Sequence, residues 1–460
     1  MILLCCLALA TEPRLAPVAT PPERPVFPEL EEYALSSGTP VIFARRDDIP
    51  MVQIKLGVTA EYADLEQGEL LATLATELLG TDTQRRDATA WQSALQSLGA
   101  RVDLRLTQSR LSASLRVPRG REAEALALVA EALFEPRFRR KVARIYLDYW
   151  TTHRETIEYR IHSVHERAVN HAFFPIGHSL RHASRTDDLG ELTARDAEDL
   201  VARVLREGRA SLSVAGDADV EELMPLLEQH FGQLRGDTPA EPYQDIEGQG
   251  GRWLIDRTGF EVAKLTVALE GPPAGHPDEA PVRVLWGILA GSFDSRMSMD
   301  LREQRGLTYG VHGDMRAWTG LGMLRIDLDT ALDDIGEAFL GAEEHLDQIE
   351  EEGVSQAEVD RAMAHLLLEQ AQDFSRIELV CQQLLLAQAW SLGLDIWDRD
   401  LDALEAVTPA DVAIAARKWL VPERRIWVIT GSGDWIAHQL EEIDRVPDHV
   451  ITAEEISAER

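Results

Sequence analysis

Cysteine is nearly absent from this 460-residue chain: Cys5 and Cys6 lie at the extreme N-terminus, and Cys381 stands alone in the body. That excludes a disulfide framework and a cysteine-built zinc site within the folded part. Basic residues are scarce too, with 46 Lys and Arg against 79 Asp and Glu and a net charge of −33. Phosphate binding needs a basic face, so nucleic acid is an unsuitable partner, and anionic membrane surfaces are disfavoured. A surface of this sign attracts basic peptides, although the simpler reading is that it keeps the chain soluble. Beyond the N-terminus no stretch offers 18 uncharged apolar residues, which leaves no candidate for an integral membrane segment.

What is present is an ordinary globular composition, 45% apolar and 27% charged, at a length suited to about two to four domains. Ile2–Ala10 is apolar and closes on Ala8-Leu9-Ala10, followed by polar and Pro-rich sequence. This pattern reads as the end of a signal peptide and predicts an exported, periplasmic protein, a short disordered cytosolic tail being the alternative.

"TPVIFARR" and "MVQIKLGV" (Thr39–Arg46, Met51–Val58) alternate as a pair of strands would. A helical stripe follows at Glu69–Leu79, carrying Leu70, Leu71, Leu74 and Leu78. Arg101–Val117 alternates like a hairpin. Amphipathic helices are expected around Arg121–Leu133 and Arg137–Asn170, and "ASLSVAG" (Ala210–Gly216) reads as an apolar strand.

This order recurs. "LTARDAEDLVARVLREGRASLSVAGDADV" from Leu192 is matched without a gap by "VTPADVAIAARKWLVPERRIWVITGSGDW" from Val407. Thr193 falls on Thr408, Asp196 on Asp411 and Gly216 on Gly431. Each copy reads as a capping Thr, an amphipathic helix and a buried strand ending in Gly. The expected fold class is therefore α+β, two homologous α/β halves forming a clamshell with a binding cleft between them. The expected divisions are a signal-like or disordered segment over 1–23, a first domain over 24–235, a linker over 236–250 rich in Pro, Gly and acids, a second domain over 251–440, and an acidic tail over 441–460.

"LAGSFDSRMSMDLREQRGLTYGVHG" (Leu289–Gly313) is similar to the second-half signature of peptidase family M16, the pitrilysin-like inverted zincins that include the mitochondrial processing peptidase. The resemblance covers almost the whole chain and implies the LuxS/MPP-like metallohydrolase fold. In that family an H-x-x-E-H helix in the first half binds zinc through its two His, and its Glu activates water. The corresponding helix here is "GELLATLATELLGT" (Gly68–Thr81), where the first His position falls on Leu71, the Glu on Leu74 and the second His on Ala75. None of these side chains can bind zinc or take a proton. H-x-x-E-H and H-E-x-x-H occur nowhere else, and "LDYWTTHRE" (Leu147–Glu155) offers no downstream Glu ligand in register.

The same resemblance implies that Arg302 and Tyr309 reach towards a substrate backbone. An always-charged guanidinium and a phenol are donors suited to a peptide carbonyl or an oxyanion, and Gly306 permits the turn between them. The bland alternatives are an ion pair of Arg302 with Glu303 and a half-buried strand tyrosine. Together these readings resemble the non-catalytic partner in a two-chain zinc peptidase: no catalytic residues or cofactor of its own, zinc only in a homologous H-x-x-E-H subunit, and a peptide as substrate. Two alternatives are a scaffold of the kind found in a respiratory complex and a clamshell that binds peptides without cutting them.

Other features carry less. His162, His165 and Glu166 share a helix face that could in principle hold a metal. His312 either lines the cleft or packs. The acidic run Glu343–Asp360 reads as exposed helix faces, and the tryptophans as core aromatics. "AGSF" (Ala290–Phe293) takes the place of a Gly-rich loop but has one Gly.

Overall fold

The computed structural model describes residues 23–60, 68–107, 110–158, 160–175, 181, 186–236, 250–318 and 320–458. The signal-like run, most of the linker, and His178 and His182 lie outside them.

The first half runs β1 (Leu30–Ala34), β2 (Pro40–Arg45), β3 (Met51–Thr59), α1 (Gly68–Leu78), α2 (Ala88–Leu98), β4 (Arg101–Leu106) and β5 (Arg110–Pro118). It continues with α3 (Glu122–Phe134), α4 (Arg140–Glu158), α5 (Ile161–Phe173), α6 (Ala194–Glu207), β6 (Arg209–Gly216) and α7 (Val220–Phe231). The second half runs β7 (Gly251–Asp256), β8 (Val262–Gly271), α8 (Glu279–Trp286), β9 (Thr308–Trp318), β10 (Leu321–Ala331), α9 (Ile335–Glu352) and α10 (Gln356–Asp373). After it come α11 (Ile377–Ala389), α12 (Ile396–Glu405), α13 (Pro409–Trp419), β11 (Ile426–Gly431), α14 (Gly433–Glu442), β12 (His449–Thr452) and α15 (Ala453–Ala458).

Each half builds one six-stranded sheet, in the orders β1-β2-β6-β3-β5-β4 and β12-β7-β11-β8-β10-β9. The repeat in the sequence is thus a repeat in topology. Thr193 and Thr408 close equivalent capping boxes: each hydroxyl accepts from the backbone N–H of Asp196 or Asp411 at 3.3 Å, and each aspartate accepts from the Thr backbone at 3.0 Å. Only the outermost strand differs. β1 is antiparallel to β2, whereas β12 is parallel to β7 and comes from the chain's end.

Three expectations are corrected. β2 and β3 do not pair, because β6 lies between them, parallel to one and antiparallel to the other. The long helix over Arg137–Asn170 is two, α4 and α5, with Arg160 extended at φ −62°, ψ 134° before α5 begins. The tail after 440 is built into the fold, since β12 extends the second sheet and α15 packs on α5.

The break before α5 has a reason in packing. α5 leaves its own half and lies on β8 and β11 of the second sheet, while α11, its counterpart, lies on β3 and β6 of the first. Each sheet is therefore covered on both faces. Val41 and Phe43 of β2 join the first core, and Ile42 and Ala44 join the cluster around α11. Such strands read as near-continuous apolar runs. Among the described residues no helix is long and apolar enough to cross a membrane.

Candidate functional site

α1, the helix expected to correspond to the family's zinc helix, is a packing element. Leu74 and Ala75 are fully buried, and Leu71 is half-buried against the same core. Burying a Leu in this way stabilises by about 1.5–3 kcal/mol. No donor atom stands at the three positions, so they do not fit a metal ion. Among the described residues no group of three or more His, Cys, Asp or Glu is arranged to hold one.

The second half offers a different surface. Residues Ser298–Gln304 form a π-helical turn in which Leu301 is fully buried against α9. Gly341 makes this seat possible, since a Cβ there would lie 2.5 Å from Leu301 Cδ2. Asp300 fixes the turn from its other side, accepting from Arg305 Nε at 3.1 Å and lying 2.9 Å from His345 Nε2. Burial alone would raise the Asp300 carboxyl; Arg305 and His345 hold it below its ordinary value.

The turn ends at Gly306, which is left-handed at φ +69°. Leu307 N–H donates back to the Leu301 carbonyl at 2.8 Å, the long bond of a glycine-terminated helix end. The chain then enters β9, which pairs only with β10 among the described residues and so forms the sheet's edge.

Arg302 and Tyr309 sit on either side of this turn. Tyr309 is 99% exposed, more than any other large apolar or aromatic side chain described, and makes no hydrogen bond among the described residues. The half-buried tyrosine expected as the alternative is not what is found. Arg302 does have its Glu303 ion pair, but loosely, at 3.6 Å. Its guanidinium carbon also lies 4.0 Å from the centroid of Phe293. Phe293 is itself 68% exposed, and its only sequence signal was its place in "AGSF". His312 is exposed further along β9.

The His162, His165 and Glu166 face is not a metal site. His162 is exposed, whereas His165 is 1% exposed and held from both sides by the second sheet. Its Nε2 lies 2.6 Å from Thr266 Oγ1 and its Nδ1 2.8 Å from Thr430 Oγ1. Thr266 donates onward to Asp327, so the consistent assignment is a neutral ring with its proton on Nε2, accepting from Thr430 at Nδ1. Burial, with Arg325 and Lys264 nearby, pushes His165 down to about 3. Glu166 accepts two bonds from the buried Arg325, which overcome the effect of its own burial and keep it ionised. This network joins the halves.

The acidic run Glu343–Asp360 is likewise only partly a solvated face. Glu343 pairs with Arg445 and Asp347 with Arg425, while Arg296 holds Glu358 down at about 2.

A model of the peptidase M16 inactive domain matches residues 191–366, from the turn before α6 into α10. The chain is 24% identical over 163 residues to an uncharacterised zinc protease of Mycobacterium bovis, covering 34% of this chain and 37% of that protein. It is 27% identical over 123 residues to mitochondrial cytochrome b-c1 complex subunit 1 of Bos taurus, covering 26% of this chain and 25% of that one. The sequence similarity thus spans about a third or less of the length of these relatives. In structure, the peptidase M16 inactive domain from Pseudomonas fluorescens matches with a TM-score of 0.79 at 21% identity, covering 88% of this chain and 98% of that one. Residues 191–366 thus resemble the peptidase M16 inactive domain, and the chain shares the fold of a solved M16 inactive domain over most of its length.

Proposed function

We propose that the chain is the non-catalytic, substrate-binding subunit of a two-chain zinc peptidase, lending Arg302 and Tyr309 to an active site whose metal sits in a homologous H-x-x-E-H partner. One contrast carries the reading: of the positions expected to grip zinc, 74 and 75 are sealed in a core and 71 is half-buried against it, while Tyr309 is 99% exposed and Arg302, before the same turn, lies over an exposed ring. A molecule folding for its own sake gains nothing from either display. Charged and phenolic donors held ready are what a developing oxyanion or a peptide carbonyl needs. The substrate is a peptide, and the charge of −33 favours a basic one. Periplasmic placement belongs to the same proposal and rests on the apolar run Ile2–Ala10.

A second reading, a scaffold subunit, is favoured by the likeness to the cytochrome b-c1 subunit. The test is to purify the chain alone and with a co-expressed H-x-x-E-H partner, then measure bound zinc and peptide cleavage. The proposal expects no stoichiometric zinc and no cleavage by the chain alone, and cleavage by the pair well above that of the partner alone. A pair that cuts no better than the partner alone favours the scaffold.

A further inference from the structure

We propose that Phe293 is a positioning residue for Arg302, a fixed ring on which the guanidinium is held before substrate arrives; the inference rests on the two-chain reading above. An arginine on a surface turn has several freely rotating bonds and, in water, no preferred direction. Arg302 is an exception, because its guanidinium carbon lies 4.0 Å from the Phe293 centroid, within the range of a cation–π contact. Its other ionic contact, Glu303 at 3.6 Å, is too long to set the plane of the fork.

The ring can serve as a platform only if it is itself immobile, and the loop beneath it is tied down. Ser292 Oγ donates to Asp294 Oδ1 at 2.8 Å, and Ser298 Oγ donates to the Ser292 carbonyl at 3.2 Å. Ser295 Oγ donates to Ser298 at 3.0 Å. Arg296 then clamps the segment to α10 and the turn before it, reaching Glu358 at 2.7 and 3.1 Å and the Gly353 carbonyl at 2.9 Å. These bonds tie the segment to itself and to α10.

Phe293 has no packing reason to be aromatic. It remains 68% exposed and belongs to none of the buried clusters. A leucine there would keep the loop bonds, which come from serine, aspartate and arginine, but would lose the ring face. The effect of such a change should therefore fall on Arg302 and not on the fold.

The experiment uses the full chain with its H-x-x-E-H partner and a fluorescence-quenched peptide bearing basic residues. Phe293→Leu is expected to lower kcat/KM about three- to five-fold, mainly through kcat, with the thermal midpoint of the chain unchanged. Phe293→Trp should restore turnover, and adding Phe293→Leu to Arg302→Ala should cause no further loss. In the isolated chain, NMR should find the Arg302 δ-methylene signals, assigned with Arg302→Lys, displaced by the ring and returned to ordinary values by Phe293→Leu. Undisplaced wild-type signals overturn the inference without reference to any partner. If Arg302→Ala lowers turnover and Phe293→Leu does not, the platform is idle while the two-chain reading stands. If Phe293→Leu costs as much in the Arg302→Ala background, the ring contacts substrate itself and does not position Arg302. If neither variant changes turnover, the reading and the inference fall together.

Discussion

At α1 the first half buries Leu74 and Ala75 completely, whereas at β9 the second half leaves Tyr309 99% exposed, and the turn before it sets Arg302 over the Phe293 ring. The two halves repeat one sheet topology, so topology is not the cause of the difference. A helix without metal-binding side chains sits against a core, and packing is free to claim its face. An edge strand and the turn before it sit against solvent, and nothing in packing demands an exposed phenol there.

The harshest way to break this contrast is to rebuild the zinc triad as Leu71→His, Leu74→Glu and Ala75→His. Position 74 is fully buried, and an ionised carboxylate there costs several kcal/mol. The triple variant is expected to lose cooperative melting by circular dichroism; a folded, zinc-loaded product would show that the face is plastic.

The crossing helices sharpen the comparison. α5 brings Glu166 to an ionic network with the buried Arg325 and with Asp327 of β10, while α11 crosses with Cys381, whose sulfur lies 3.4 Å from the Gln53 carbonyl. Arg325→Ala strands two carboxylates and should destabilise by about 3–5 kcal/mol. Cys381→Ala should cost only about 1 kcal/mol. Denaturant titration of both variants checks the ratio, and equal losses would remove the asymmetry.

His165 gives the same interface a pH signature. Its folded value of about 3 lies below that of the unfolded chain, so between those limits the unfolded state binds the extra proton. Stability is then complete above about pH 6.5 and falls as pH drops towards 3, by about 1.4 kcal/mol per unit. The groups facing the ring are Arg325, Lys264, Glu166 and His162, with Asp327 behind Thr266. Glu166, also depressed, adds its loss only at lower pH. His165→Gln should flatten the profile between pH 6.5 and 5, and an unchanged slope would place the titration elsewhere. The smallest effect concerns what the halves share. Thr193→Ala and Thr408→Ala should each cost about 1 kcal/mol and equally, because their capping boxes match.

Much of this was legible in the sequence where periodicity and spacing agreed. The repeat, the capping threonines, the β4–β5 hairpin and the apolar α1 all follow from local pattern. What was not legible depends on contacts between distant segments. β6 inserts between β2 and β3 across more than 150 residues, and no local pattern announces it. The exchange of α5 and α11 was hidden for the same reason: a helix that packs on another half's sheet looks like any amphipathic helix. His165 and Glu166 share a face, which the sequence showed, but their partners Thr430 and Arg325 lie more than 150 positions away. Phe293 was passed over because an aromatic in a loop gains meaning only from Arg302 above it.

The most direct measurement is turnover of the reconstituted two-chain enzyme carrying Arg302→Ala with Tyr309→Phe. Removing a preformed donor of this kind is expected to lower kcat by about 10²–10³ while zinc content in the partner and assembly of the pair are unchanged. A variant pair that assembles, holds its zinc and cuts peptide at the wild-type rate would contradict the account.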